Sequence, residues 1–428
     1  MRTLASAVHF FCVAILLTLG PARAESAVGL RAGAARVDIT PDKPVTLAGY
    51  ASRKGLSTGV HDPLSARALA FEAGGKRLVL VSVDILGFYD GTDEYLRGPL
   101  LKEFGLQPSE LFLCAIHTHA APSPTVNRER GNPSNVEYME TLLRKLTGVI
   151  HQAVDGLQPA SLGLGVGYCP IGANRRELRV NDKGESSIVL GRNPYGQTDR
   201  EVLVMKVARP DGTPMAVAFD YATHGTSLGY DNYTLSGDVP GLAEQFVEKI
   251  VGGGAIAPAF IGASGDVDPW YRVLPGFNAE PGWVPESVLL GTFLGEEVVH
   301  VVRDIKQTGA TERLATRCEV LQLPAKPGDE LSPGAGSGTT PLVVTVARLG
   351  DVALVGLGGE MLTQIGAAIK AGSPCEYTFV ITHCNGAAGY LAPKELHVQD
   401  GYEVKSSHFA PQAADIVVRE SIRMLHAL

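Results

Sequence analysis

The chain has 428 residues, of which 45% are hydrophobic and 19% are charged, and its formal net charge is −8. This high apolar content with few charges excludes intrinsic disorder, and the length suffices for one large domain or two moderate ones. Proteins that bind the phosphates of nucleic acid usually have a basic surface, so the acidic balance argues against nucleic acid as a partner.

The first 24 residues have the features of a secretory signal peptide. Arg2 supplies a positive charge, an apolar run covers 8–19, and the sequence ARA at 22–24 has the small-x-small pattern of a cleavage site. The apolar run is shorter than the ~18–20 residues that a membrane-spanning helix needs. We therefore predict cleavage before Glu25 and a secreted or periplasmic protein without a transmembrane span. One domain is expected over 25–428.

Short apolar runs alternate with amphipathic stretches along the rest of the chain, which is typical of an α/β protein. Several runs are almost continuously apolar, as expected when both faces of a sheet are covered. We predict a layered, mixed β-sheet flanked by helices in a single catalytic domain. The predicted strands are 64–73, 77–84, 111–117, 201–208, 214–222, 256–262, 342–348, 352–357 and 377–383. The predicted helices are 94–104, 135–154, 239–251, 286–305, 361–370 and 411–427.

Cysteine and tryptophan positions suggest two further features. Cys375 and Cys384 are close enough in sequence to form a disulfide, and buried thiols are the alternative. The segment 269–285 holds both tryptophans of the chain, Trp270 and Trp283, among prolines and glycines. We expect this aromatic segment to wall a pocket rather than only cap the core.

Histidines follow two of the predicted strands. His117 and His119 close the strand 111–117, and His224 follows the strand 214–222. Residues two apart on a strand point to the same side, so His117 and His119 would face one site. Imidazole suits Zn²⁺, but histidine serves many other roles, and the HxH pattern alone leaves both interpretations open.

Acidic residues and a tyrosine follow other predicted strands. Asp238, Asp266 and Glu360 either cap a helix or turn or bind a metal, and Tyr390 on its own would be a packing residue. Open α/β sheets gather ligands at the carboxyl ends of their strands, so these side chains are expected to meet there.

Taken in order, these motifs resemble the neutral/alkaline ceramidases, which are zinc amidases that cleave the N-acyl bond of ceramide. The resemblance covers the mature chain nearly end to end, as that family's N-terminal catalytic domain. It rests on VDITP at 37–41, HTH at 117–119 with Pro122, His224 with SGD at 236–238, GDV at 265–267, GE at 359–360, and Tyr390 and Tyr402, which lie 12 residues apart.

The resemblance implies a metal site and a set of substrate contacts. By it, Zn²⁺ would be held by His117, His224, Glu360 and Tyr390. The groups that contact the amide and hydroxyl of the substrate would be His119, Arg175 and Tyr402, with Arg176 as an alternative to Arg175. The implied reaction is hydrolysis by a zinc-activated water, with these groups stabilising the oxyanion and moving the proton.

The chain departs from the family pattern at one residue. Asp268 stands where the family has a serine that has been regarded as a candidate nucleophile, so only the water mechanism can apply. Its charge favours an amine-bearing substrate, or with Asp266 a second hard cation such as Mg²⁺ or Ca²⁺. Asp268 and Trp270 are the expected substrate-binding residues.

The family also carries a C-terminal β-sandwich domain, which is not expected in this sequence. Because that difference bears on access to membrane lipid, two alternatives to a ceramide hydrolase stay open. One is a hydrolase of another N-acyl amide or ester, and the other is a non-catalytic binding protein on the same fold.

Overall fold

The structure is a computed structural model that describes residues 29–270, 286–328 and 338–428. The predicted signal peptide at 1–24 and most of the aromatic segment 269–285, including Trp283, lie outside the described residues.

The elements alternate between strands and helices. The strands are β1 Arg31–Asp38, β2 Gly59–Val60, β3 Ser65–Ala73, β4 Lys76–Val83, β5 Leu111–Ala115, β6 Gln158–Pro159, β7 Ser161–Tyr168, β8 Gly172–Val180, β9 Ser186–Asn193, β10 Glu201–Ala208, β11 Pro214–Tyr221, β12 Thr234–Leu235, β13 Ala259–Ile261, β14 Val267–Pro269, β15 Leu314–Pro324, β16 Thr339–Leu349, β17 Val352–Leu357, β18 Glu360–Met361, β19 Tyr377–Ile381 and β20 Tyr390–Leu391. The helices are α1 Thr92–Phe104, α2 Pro133–Asp155, α3 Asp238–Val251, α4 Glu286–Asp304, α5 Thr363–Gly372, α6 Lys394–His397, α7 Tyr402–Lys405 and α8 Ala413–His426.

Three mixed sheets form the framework. Their strand orders are β5-β4-β3-β1-β6, β13-β11-β10-β7 and β15-β16-β17-β19. Most neighbouring strands are antiparallel, but each sheet contains one parallel pair, β4 with β5, β11 with β13, and β17 with β19. This arrangement confirms the predicted layered, mixed α/β fold.

One apolar core lies between the three sheets, and helices cover their outer faces. Successive side chains of a strand point to opposite faces. On β4, Leu78 and Leu80 therefore enter the central core, whereas Val79 and Val81 pack with residues of α1 and α2. In the same way α3 and α4 cover the second sheet, and α5 and α8 cover the third. Burial on both faces explains the continuous apolar runs of the sequence.

The parallel pairs bring several strand ends to one place. The chain leaves β5 toward His117, β11 toward His224, and β17 toward Glu360. Short pairs complete this edge: β18 lies parallel to β20, with Glu360 opposite Tyr390, and β14 pairs with β8. The predicted gathering of polar side chains at strand ends is thus present in the fold.

Several local predictions differ from the structure. The strand 111–117 ends at Ala115, so His117 and His119 are not on a strand, and Glu360 lies in β18 rather than at the start of a helix. All five cysteines of the described segments are free thiols, so the disulfide between Cys375 and Cys384 is wrong and the buried-thiol alternative holds for both. The β8–β9 hairpin has no counterpart among the predicted strands because its sequence is largely polar.

Candidate active site

The HTH segment places two imidazoles side by side after β5. His117 has φ 58°, a left-handed conformation that is uncommon for any residue except glycine. This turn, and not the alternation of a strand, brings His117 Nε2 to 3.4 Å from His119 Nε2. His117 Nδ1 lies 2.7 Å from the carbonyl oxygen of Leu86, which directs its Nε2 toward the centre of the site.

His224 is fixed with its Nε2 free of a proton. Its Nδ1 lies 2.9 Å from the carbonyl oxygen of Ser264 and 3.1 Å from that of Val267, so Nδ1 is the donor. Arg175 Nη1 lies 3.3 Å from Nε2, and a guanidinium can only donate, so Nε2 carries a lone pair. This tautomer is the one that a metal-binding imidazole requires.

Glu360 faces these imidazoles. Its Oε1 accepts a hydrogen bond from the Tyr89 hydroxyl at 2.7 Å. Its Oε2 is buried and has no hydrogen-bond partner within the described segments, although His117 Nε2 lies at 3.5 Å and His224 Nε2 at 3.6 Å. A buried carboxylate oxygen without a partner is costly unless a cation completes the site.

The protonation states suit metal binding. Burial lowers the pKa of His117 well below its usual value and lowers the pKa of His119 to about 3. Burial alone would raise the pKa of Glu360, but the imidazoles led by His117 hold that pKa well below its usual value. Neutral imidazoles beside an ionised carboxylate are the forms in which these groups bind metals.

Arg175 links His224 to the neighbouring side chains of Asp268 and Tyr390. Its Nη2 donates to the Tyr390 hydroxyl at 3.2 Å, its Nη1 to Asp268 Oδ1 at 3.2 Å, and its Nε to Glu403 Oε1 at 2.9 Å. Arg176 donates to the other oxygen of Glu403, Oε2, at 2.7 Å, and lines a different cavity together with Asn174 and Asp266. Of the two arginines that the sequence left open, the structure brings Arg175 to the site.

A cavity of about 360 Å³ opens beside the cluster. Its lining residues are Gly49, Tyr50, Ala51, Ser52, His119, Arg175, Arg179, Leu190, Gly191, Thr226, Asp268, Tyr390 and Tyr402. The expected substrate-side residues therefore share one cavity, with the exception of Trp270. The Trp270 ring stacks instead under Arg192, whose guanidinium carbon lies 3.5 Å from the ring centroid.

The donor set fits a metal ion. The imidazole nitrogens of His117, His119 and His224 lie within 4.8 Å of one another, and the Tyr390 hydroxyl lies 3.5 Å from His224 Nε2. Imidazole and carboxylate ligands with an open cavity beside them are typical of catalytic zinc sites. The buried Glu360 Oε2 has no hydrogen-bond partner in the described segments, and a bound cation would provide one.

Two other acidic residues cap local structure instead. The Asp238 carboxylate accepts hydrogen bonds from the backbone N–H groups of Ser227, Leu228 and Val239. Asp266 Oδ1 accepts from the backbone N–H and the hydroxyl of Thr363 at 2.9 and 2.8 Å. Its Oδ2 accepts from the Asn174 side chain. Because both Asp266 oxygens are in use, the structure gives no support to a second cation there.

Four further residues shape the site without having been identified from the sequence. Tyr89 holds Glu360, Glu403 holds Arg175, Gly49 lies against His119, and His383 stacks on His117. Only His383 had a usable signal, because it ends the predicted strand 377–383 just as His117 ends the strand 111–117. The other three act through contacts that are remote in sequence.

Comparison with known proteins identifies the family. The family model for the neutral/alkaline non-lysosomal ceramidase N-terminal region matches residues 30–269. The chain belongs to the neutral/alkaline non-lysosomal ceramidase family. Among relatives, the neutral ceramidase of Oryza sativa subsp. japonica is 27% identical over 229 residues, which are 50% of this chain and 28% of that protein. The neutral ceramidase of Mycobacterium tuberculosis is 27% identical over 262 residues, which are 56% of this chain and 39% of that protein.

The ceramidase fold extends beyond the part matched in sequence. The crystal structure of neutral ceramidase from Pseudomonas aeruginosa matches with a TM-score of 0.77 and 18% identity, covering 94% of this chain and 74% of that one. At this identity the match shows the fold alone. The sequence matches cover less than two fifths of the length of the two ceramidase relatives named above.

Proposed function

We propose that this protein is a zinc-dependent N-acyl amide hydrolase that cleaves a ceramide-like lipid amide into a fatty acid and an amine. One observation carries the proposal: the side chains of His117, His224 and Glu360 converge, with an unpartnered, buried carboxylate oxygen between the two imidazoles, beside a cavity that His119 and Tyr390 line. Family membership supports the same chemistry, and several relatives bear the name neutral ceramidase.

His117, His224, Glu360 and Tyr390 would hold the zinc ion. A zinc ion in such a site acts as a Lewis acid and lowers the pKa of water to about 7. His119 Nε2, which lies 3.4 Å from His117 Nε2, would accept a proton from the attacking water and pass it to the leaving amine.

Arg175 and Tyr402 would bind and orient the amide on the cavity side. Arg175 is a fixed cation, held by Glu403 and Asp268, and would stabilise negative charge on the carbonyl oxygen. The Tyr402 ring stands 5.6 Å from that of Tyr390, which places its hydroxyl-bearing side chain at the same wall.

Asp268 would select the polar part of the substrate. It lines the cavity and accepts hydrogen bonds from Thr226 and Arg175, both at 3.2 Å. A carboxylate cannot act as the activated alcohol of a serine mechanism, so hydrolysis would use water. Its charge supports a substrate that carries an amine or hydroxyl near the amide.

We further propose that the protein is exported as one domain over 25–428 after removal of residues 1–24. Support comes from the signal-like sequence at 1–24. In the described segments no helix is both long and apolar enough to cross a bilayer. N-terminal sequencing of the exported protein is expected to begin at Glu25.

The test is hydrolysis of a short-chain fluorescent ceramide and of a panel of N-acyl amino acids and esters, using protein of measured zinc content. Glu360→Gln and His224→Ala should each lower kcat/KM by at least ~10²-fold, because each removes a zinc ligand. His151→Ala is the matched control, since this half-exposed histidine lies on α2 away from the cavity, and it should keep full activity.

The outcomes separate the candidate functions. Ceramide hydrolysis that depends on Glu360 and His224 would support the whole proposal. Hydrolysis of only the smaller amides or esters would contradict ceramide as the substrate and favour the first alternative. Bound zinc without hydrolysis of any compound in the panel would contradict an enzyme and favour the binding protein.

A further inference from the structure

Arg53 is a partly buried arginine whose guanidinium binds backbone carbonyl groups of three separate segments. Its Nη1 donates to the carbonyl oxygens of Ala48 and His119. Its Nη2 donates to the carbonyl oxygen of Gly229 at 2.8 Å, and its Nε donates to that of Tyr230 at 3.2 Å. Because a guanidinium carries five N–H groups in one rigid plane, a single side chain can hold these carbonyls in a fixed arrangement. Arg53 therefore joins the segment before it to the HTH turn and to the loop at 229–230.

The segment that precedes Arg53 forms one wall of the cavity, which residues 49–52 line. The Tyr50 ring belongs to this wall. It lies under the guanidinium carbon of Arg53, which is 4.7 Å from the ring centroid, and its centroid is 5.0 Å from that of the His119 ring. Arg53 thus reaches His119 in two ways, directly through the backbone carbonyl and indirectly through the Tyr50 ring.

His119 depends on such contacts more than the two neighbouring histidines do. In His117 and His224, Nδ1 lies within hydrogen-bond distance of a backbone carbonyl oxygen, which fixes the orientation of each ring. His119 Nδ1 is buried and has no hydrogen-bond partner in the described parts of the chain. The backbone of His119 is held instead, since its N–H donates to the Gly225 carbonyl at 2.9 Å and its own carbonyl accepts from Arg53. The position of the His119 ring is therefore set by its backbone and by packing.

We propose that Arg53 is a positioning residue for His119. The inference rests on the proposed function, in which His119 moves the proton between the attacking water and the leaving amine. Arg53 is absent from the residues that line the cavity within the described segments, so it acts through His119 and the wall rather than on the substrate. Without the guanidinium, the HTH turn and the wall at 49–52 lose the group that holds them together.

The first measurement compares steady-state kinetics of Arg53→Lys and Arg53→Ala with wild type. An ammonium group is a single point donor and cannot replace the planar guanidinium at three segments, so both variants should be impaired. We expect kcat and kcat/KM to fall together by about 10-fold to 10²-fold, as for the small displacement of a catalytic group, with zinc content unchanged. Wild-type kcat in both variants would overturn the proposal.

Arg97→Lys is the matched control for these kinetics. Arg97 lies on α1 and also donates to a backbone carbonyl, that of Pro108 at 2.7 Å, but it is not part of the cavity wall. This variant should keep full activity. Thermal unfolding of every variant identifies a folding defect, and if Arg53→Ala does not fold, Arg53→Lys provides the test.

The second measurement follows the His119 ring itself and does not depend on turnover. In NMR spectra of the apo protein with isotope-labelled histidine, the His119 signal is identified by its loss in His119→Ala. It should shift or broaden in both Arg53 variants, whereas the signal of His151, on α2, should stay in place. An unchanged His119 signal would overturn the positioning role.

The two measurements separate a failure of this inference from a failure of the proposed function. A wild-type protein that hydrolyses no compound of the panel would contradict the proposed function, and the NMR comparison would still decide whether Arg53 positions the His119 ring. An active wild-type protein whose Arg53 variants retain both kcat and the His119 signal would contradict this inference alone.

Discussion

Asp220 shows how a single buried residue can set the pH dependence of stability. It lies on β11 away from the candidate site and is only 2% exposed. One of its oxygens accepts a hydrogen bond from the backbone of Val380 at 3.2 Å, and the other has no partner among the residues that the structure describes. Burial raises the pKa of this carboxyl to about 8, against an ordinary value of 3.8.

The raised pKa makes folding take up a proton at neutral pH. Between the two pKa values the folded state binds a proton that the unfolded state does not, so the free energy of unfolding falls as pH rises. The stabilising contribution is complete below the unfolded pKa and is lost as pH rises through the folded pKa of about 8.

We predict that Asp220→Asn flattens this dependence. The amide does not titrate, so wild type should lose up to about 1.4 kcal/mol more unfolding free energy per pH unit than the variant. Urea denaturation at several pH values between about 5 and 8 measures the slopes. Asp351→Asn, at an exposed aspartate, should follow wild type. Parallel curves for Asp220→Asn and wild type would contradict the assignment.

Among the elements, the site depends on the close approach of one segment that carries none of the candidate site residues. The segment that follows β1 runs beside the HTH turn: Ala48 N donates to Ala121 O at 2.9 Å, and Leu47 forms a bridge with Pro122. Gly49 has φ 90°, and a Cβ there would lie 2.5 Å from His119 Cγ. The glycine is therefore required by both its backbone conformation and its contact with the imidazole.

Gly49→Ala is expected to displace His119 and lower kcat/KM by about 10-fold to 10²-fold, because small displacements of a catalytic group have effects of that size. Zinc content should stay near that of wild type. Gly75→Ala is the matched control: Gly75 has φ 73° but a Cβ there meets no atom within 4 Å. If both variants lose activity equally, backbone strain rather than the contact with His119 is responsible.

At the scale of the whole molecule, the candidate metal ligands join segments from every part of the chain. His117 follows a strand of the first sheet, His224 a strand of the second, and Glu360 a strand of the third. Tyr390 lies near the C-terminal end, in β20. Such a site exists only when the three sheets are packed together, so a metal that binds it must favour the folded state.

We therefore predict that zinc raises the thermal unfolding midpoint and that a chelator lowers it. At free zinc about 1,000-fold above Kd, the added stability is about 4 kcal/mol. Glu360→Gln should reduce the shift, whereas His151→Ala should retain it. A midpoint that is unchanged by zinc in the wild-type protein would contradict a specific site between the sheets.

The predicted elements largely match the structure where burial governs the sequence. The strands 201–208 and 352–357 are confirmed at both ends, since strands covered on both faces consist mainly of apolar residues. The hairpin of β8 and β9 was missed because its strands are polar and partly exposed, although β8 carries Arg175. An apolar sequence pattern reflects burial, whereas this hairpin is held together by hydrogen bonds between its two strands.

The fold class and the family could be predicted from the sequence, because apolar periodicity and an ordered set of short motifs are visible without the structure. The resemblance to the family, and not the spacing of the residues, identified the candidate zinc ligands, which are His117, His224, Glu360 and Tyr390. The packing of the chain was needed to establish that Arg175 and not Arg176 lines the cavity, that Asp266 caps a helix, and that His383 stacks on His117. These outcomes depend on which strand ends meet and which way each side chain points, and the packing of three sheets around one core fixes both.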